Sequence, residues 1–68
     1  MNKTEVLLSL ENLRKHIKQF EIRSRRDALD FYQQGDKRMY DFLEGKYQAY
    51  GNVGEWLDDL IGIITDER

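Results

Sequence analysis

Apolar residues recur along the first half of the chain at Val6, Leu10, Leu13, Ile17 and Phe20, and Ser24, Ala28 and Phe31 continue the stripe. Steps of three and four residues mark one face of an α-helix. The pattern stops at Gly35-Asp36. Glycine suits the left-handed position that closes a helix, and aspartate suits the cap that opens the next. A second stripe then runs through Met39, Leu43, Lys46, Tyr50, Val53, Leu57, Leu60 and Ile64. The spacing predicts one domain over residues 1–68, with helix 1 over about 3–34, a turn at 35–36 and helix 2 over about 37–65. Asn2 and Glu5 form an N-x-x-E start signal for the first helix.

If the chain folds back at Gly35, facing residues should have numbers that add to about 70. Phe31 then meets Met39, Ala28 meets Leu43, Phe20 meets Tyr50 and Leu10 meets Leu60. Nearly every such layer is apolar on both sides, the exception being Ser24 opposite Lys46. Two stripes that match under one fold predict an all-α, antiparallel αα-hairpin with coiled-coil-like packing. Gly51 and Gly54 weaken helix 2, and Asn52 with Glu55 offers another cap signal, so a break near Gly51 giving a third helix is the alternative. Gly45, Gly51 and Gly54 are either tolerated helix glycines or sites of close helix approach.

The second helix carries more apolar surface than one partner helix can cover. Phe42, Ala49, Trp56 and Ile63 repeat every seven residues beside its core stripe, and Tyr40, Tyr47 and Ile61 run on the other flank. A helix apolar over most of its circumference is buried by more than one neighbour. The open end of the hairpin is therefore expected to be an interface, with Leu7, Leu8, Trp56, Ile61 and Ile63 as its contact residues. The simplest solution is a four-helix-bundle homodimer. The alternative is an unidentified protein partner that receives the same residues.

Composition narrows the chemistry. The 68 residues include no cysteine and no proline. Disulfides, thiolate metal sites and a cysteine nucleophile are excluded. A domain this small without staples is marginal unless it oligomerises, which strengthens the dimer expectation. No apolar run approaches the roughly 20 residues of a membrane span, and Met1-Asn2-Lys3-Thr4 has no signal-peptide profile. A cytoplasmic protein with no membrane contact is expected. His16 is the only histidine, Asp58-Asp59 diverge around a helix, and Gly51-Asn52-Val53-Gly54 lacks the ending of a phosphate loop. No cofactor, metal site or enzymatic activity is expected.

Charge offers one competing reading. Eleven Lys and Arg stand against 13 Asp and Glu, a net charge of −2. Residues 14–26 nevertheless hold six basic residues and one acid. Arg14, Lys18, Arg23, Arg25 and Arg26 could follow a phosphate backbone, which makes nucleic-acid binding the runner-up. Pairs such as Arg23 with Asp27 and Arg26 with Asp30 would instead make this a solvated helix face. In size, heptads and Gly-Asp turn the chain is similar to short helical-hairpin proteins of bacterial and phage genomes. That likeness implies an adaptor, regulator or inhibitor acting on a larger protein, and a phage or mobile-element origin would favour the inhibitor.

Overall fold

The computed structural model describes residues 2–66. Two helices, α1 (Lys3–Gln33) and α2 (Lys37–Asp66), pack against each other as a hairpin about 52 Å long and 14 × 13 Å across. α2 runs unbroken through Gly51-Asn52, so the third-helix alternative is not formed. Packing along the whole hairpin outweighs the local cost of two glycines, as tertiary contacts generally outweigh propensity.

Each end is held by local chemistry that the sequence announces. Asn2 Oδ1 accepts a hydrogen bond from the Glu5 backbone N–H at 2.8 Å, which caps α1. At the turn, the Asp36 N–H donates to the Phe31 carbonyl and the Gly35 N–H to the Tyr32 carbonyl. This is a Schellman closure, and it places Gly35 at φ 79°, where a Cβ would be strained. Asp36 then caps α2, its Oδ1 accepting from the Met39 N–H at 3.1 Å. One residue thus ends the first helix and starts the second.

The register agrees with the fold-back arithmetic. The Phe20 and Tyr50 rings lie 5.6 Å apart. Arg25 meets Glu44, Arg14 meets Asp58 and Tyr32 meets Tyr40, all pairs whose numbers add to about 70.

The seam itself differs from the expected stripe. On α1 the inward rows are Leu7-Arg14-Glu21-Ala28 and Leu10-Ile17-Ser24-Phe31, each residue buried or half-buried. Leu13 and Phe20, expected inside, are 46% and 42% exposed. On α2 the inward rows are Tyr40-Tyr47-Gly54-Ile61 and Leu43-Tyr50-Leu57-Ile64. Lys46 and Leu60 are exposed, while Tyr40, Tyr47 and Ile61 face inward rather than flanking the core. Lys46 leaves the seam and sets its Nζ 5.3 Å from the Phe42 ring.

Small residues explain the rotation. Ala28 is fully buried, and Gly54 is also buried. Between the helices they leave room that other side chains fill, and at Gly54 the Arg14 guanidinium occupies it. The rows that contain them come inside, and Arg14 and Glu21 come with Ala28. The resulting core is thin: among large apolar side chains of the described residues only Leu43 is buried, at 8% exposure.

Candidate functional site

The rotation leaves one long face of the hairpin largely apolar, interrupted by Asp27 on α1 and Lys46 on α2. α1 contributes the row Val6-Leu13-Phe20, next to its seam. α2 contributes Met39, Val53 and Leu60, and beyond them the row Phe42-Ala49-Trp56-Ile63. In an antiparallel pair these flanking rows lie on the same side, and the opposite side carries the ion pairs Arg25–Glu44 and Arg14–Asp58. Trp56 and Ile63 are each 68% exposed. No other element among the described residues covers them.

The expected contact residues divide. Trp56 and Ile63 stand open on this face. Leu7 and Ile61 sit half-buried in the seam of the hairpin. Leu8 is exposed on the far side of α1, away from Trp56. Leu13, Phe20 and Leu60 belong to the open face in their place. Sequence reasoning placed these three in the core because they satisfy the same three-four spacing. The signal that separates them is the position of Ala28 and Gly54.

The opposite side is polar and enters the seam. Arg14 Nε donates to Asp58 Oδ1 at 2.8 Å and Nη2 to Oδ2 at 3.1 Å, a two-pronged contact across the hairpin. The guanidinium lies directly over Gly54, where an added Cβ would be 2.9 Å from Nη1. Nη1 is buried and has no hydrogen-bond partner among the described residues. The hydrogen bonds to Arg14 hold the Asp58 carboxyl below the usual carboxylate range, and the same pairing raises the Arg14 guanidinium. Glu21 adds to the field that raises it. A short second contact joins Arg25 Nη1 to Glu44 Oε2 at 2.7 Å, with the Arg25 guanidinium 5.3 Å above the Tyr47 ring.

Three of the five basic residues expected to follow a phosphate backbone are engaged within the hairpin. Arg14, Arg25 and Lys18 each contact a carboxylate, the last at 3.7 Å from Glu21. Arg23 and Arg26 point outward from α1 in two adjacent rows. The expected pairs Arg23–Asp27 and Arg26–Asp30 are absent from the ion pairs of the described residues, which are Arg14–Asp58, Lys18–Glu21, Arg25–Glu44 and Lys37–Asp41. Exposed pairs along one helix gain too little to immobilise two long side chains. The five basic residues therefore do not form one face.

No group of three or more potential metal ligands occurs among the described residues, and none of their helices is long and apolar enough to cross a membrane. His16 Nδ1 lies 3.0 Å from the Asn12 carbonyl oxygen, an ordinary helix-surface contact. At the turn, Tyr32, Gly35, Lys37, Tyr40 and Asp41 line an open hollow of about 280 Å³, with the two tyrosine rings 5.2 Å apart. Compared with known protein families, curated proteins and solved structures, the chain matches none. The hairpin is an all-α, two-helix class of protein, and its apolar face is the feature from which a function can be argued.

Proposed function

We propose that this protein is a non-enzymatic protein–protein interaction module of the cytoplasm, an adaptor, regulator or inhibitor of a larger protein, whose working unit is a four-helix-bundle homodimer. The apolar face built around Trp56, Ile63, Leu60, Leu13 and Phe20 is the contact surface. The observation that carries the reading is the excess of accessible surface. The chain exposes 5454 Å². A compact monomer of 8.2 kDa exposes about 4,500 Å² by the usual mass scaling. The surplus of about 900 Å² is close to the roughly 800 Å² that each partner buries in a standard stable interface. The apolar face includes the exposed Trp56, a residue type enriched at the centres of interfaces.

Sedimentation equilibrium across the micromolar range tests this. The expected result is a dimer, with Trp56 fluorescence shifted to the blue by burial. Trp56→Ala combined with Ile63→Ser should shift the mass to monomer while circular dichroism keeps its helical signal. A wild-type monomer with Trp56 emission typical of water would overturn the dimer. A stable dimer whose mass ignores both substitutions would move the interface elsewhere.

A further inference from the structure

Once the Trp56 face is closed, one apolar row remains open. Leu8, Ile22 and Leu29 are exposed on α1. They lie on the far side of that helix from Leu13 and Phe20 and share a seven-residue repeat with Lys15. This is the repeat of a helix–helix seam. The row on one side of it carries Asn12, Gln19 and Arg26, with His16, Arg23 and Asp30 one row further; the row on its other side carries Glu11, Lys18 and Arg25. Between residues 12 and 29 the first three of these rows hold three cations, Lys15, Arg23 and Arg26, and no anion. None of the three is in an ion pair among the described residues. Gln19, Ile22, Arg23 and Arg26 line a shallow depression of about 210 Å³.

We infer that this outer strip of α1 is a docking site for an acidic amphipathic helix of a partner protein. The inference rests on the interaction-module reading and names the partner's chemistry. Charge complementarity selects acid: around Ile22 the aliphatic row has Lys15 in its own line, Arg26 beside it and Arg23 one row further, none of them in an ion pair among the described residues. Lys15 and Arg26 are eleven residues apart, about 16 Å along the axis. A helix lying antiparallel would meet Arg26, Arg23 and Lys15 with carboxylates at i, i+3 and i+11. Large aliphatic residues at i+4 and i−3 would then fall beside Ile22 and Leu29. Two other anionic surfaces fit less well. Phosphates gain nothing from the aliphatic row. A bilayer surface needs a broad apolar face that sinks into it, and here a single row is bordered by Asn12 and Gln19 on one side and Glu11 and Lys18 on the other.

The test uses the full chain and a fluorescein-labelled helical peptide with Glu at i, i+3 and i+11 and Leu at i−3 and i+4. A second peptide carries Gln for each Glu. Anisotropy is read at physiological salt, with the mass of the protein measured in the same buffer. The expected result is saturable binding of the Glu peptide to the dimer and binding at least tenfold weaker for the Gln peptide. Arg23→Glu with Arg26→Glu should weaken the Glu peptide at least tenfold, and Ile22→Ser severalfold, with helicity and dimer mass unchanged. A dimer that ignores the peptide, or binds it equally in the double variant, overturns this inference and leaves the dimer reading intact. A monomeric wild type that binds the peptide only while Trp56 is present overturns both. Preferential binding of duplex DNA or phosphatidylserine vesicles, lost in the double variant, would reassign the strip to phosphates. Growth beyond a dimer that the double variant abolishes would make the acidic α2 of another copy its occupant. Either result overturns the inference.

Discussion

Gly54 and Gly45 are both glycines inside α2, and alanine should affect them differently. Alanine is favoured over glycine in a helix interior by about 1 kcal/mol. For a domain of this size that corresponds to a rise of about 4–8 °C in melting temperature. At Gly45 an added Cβ meets nothing within 4 Å, so Gly45→Ala should show the whole gain. At Gly54 the Cβ would lie 2.9 Å from Arg14 Nη1 and 3.0 Å from Cζ. The guanidinium is the mobile end of a long side chain and will swing away. Its 2.8 and 3.1 Å bonds to Asp58 are then lost. The helix gain is set against a lost ion pair, weakened by the exposure of Asp58 to solvent. Gly54→Ala should therefore raise the melting temperature by less than half as much as Gly45→Ala. In an Arg14→Ala background the obstruction is gone, and Gly54→Ala should recover the full rise. The assay is a double-mutant cycle by thermal circular dichroism at one fixed protein concentration, since association shifts the midpoint. Equal rises at the two glycines, or the same Gly54→Ala effect in both backgrounds, would refute the packing of Arg14 over Gly54.

Further outcomes follow from the same contacts. The Asp58 carboxyl titrates below its ordinary value when folded, so its stabilising effect is present above about pH 4 and is lost as pH falls through the lowered value. Asp58→Asn should flatten the fall in melting temperature between about pH 5 and 2, and an unchanged acid limb would deny Asp58 that role. Ala28→Leu forces bulk into a fully buried position of the seam and should destabilise by about 1–3 kcal/mol, measured by urea unfolding. A neutral result would mean the helices stand further apart. Asp36→Ala removes the cap on the Met39 N–H and should cost about 1 kcal/mol, with Asp36→Asn restoring most of it.

Much of this architecture was legible in one dimension. Helix ends are decided by residues close in sequence, so Asn2, Gly35 and Asp36 act through neighbours three to five positions away. The three-four spacing fixes that both segments are helices, and the short turn forces them antiparallel. The paucity of apolar volume for two 30-residue rods likewise follows from the order of residues, and with it the demand for another surface. Which row of each helix faces inward did not follow. A stripe of period 3.6 is satisfied by either of two adjacent rows beside Leu10-Ile17-Ser24-Phe31, and hydrophobicity favours the row of Leu13 and Phe20. The folded chain takes the row of Ala28 on one helix and of Gly54 on the other, where the Arg14 guanidinium packs over Gly54 and bonds Asp58 across the hairpin. That choice draws Arg14 and Glu21 into the seam, turns Leu13, Phe20 and Leu60 outward beside Trp56, and separates Leu8 from them. It depends on how two surfaces interlock across about 50 Å, and spacing along either helix alone does not contain it.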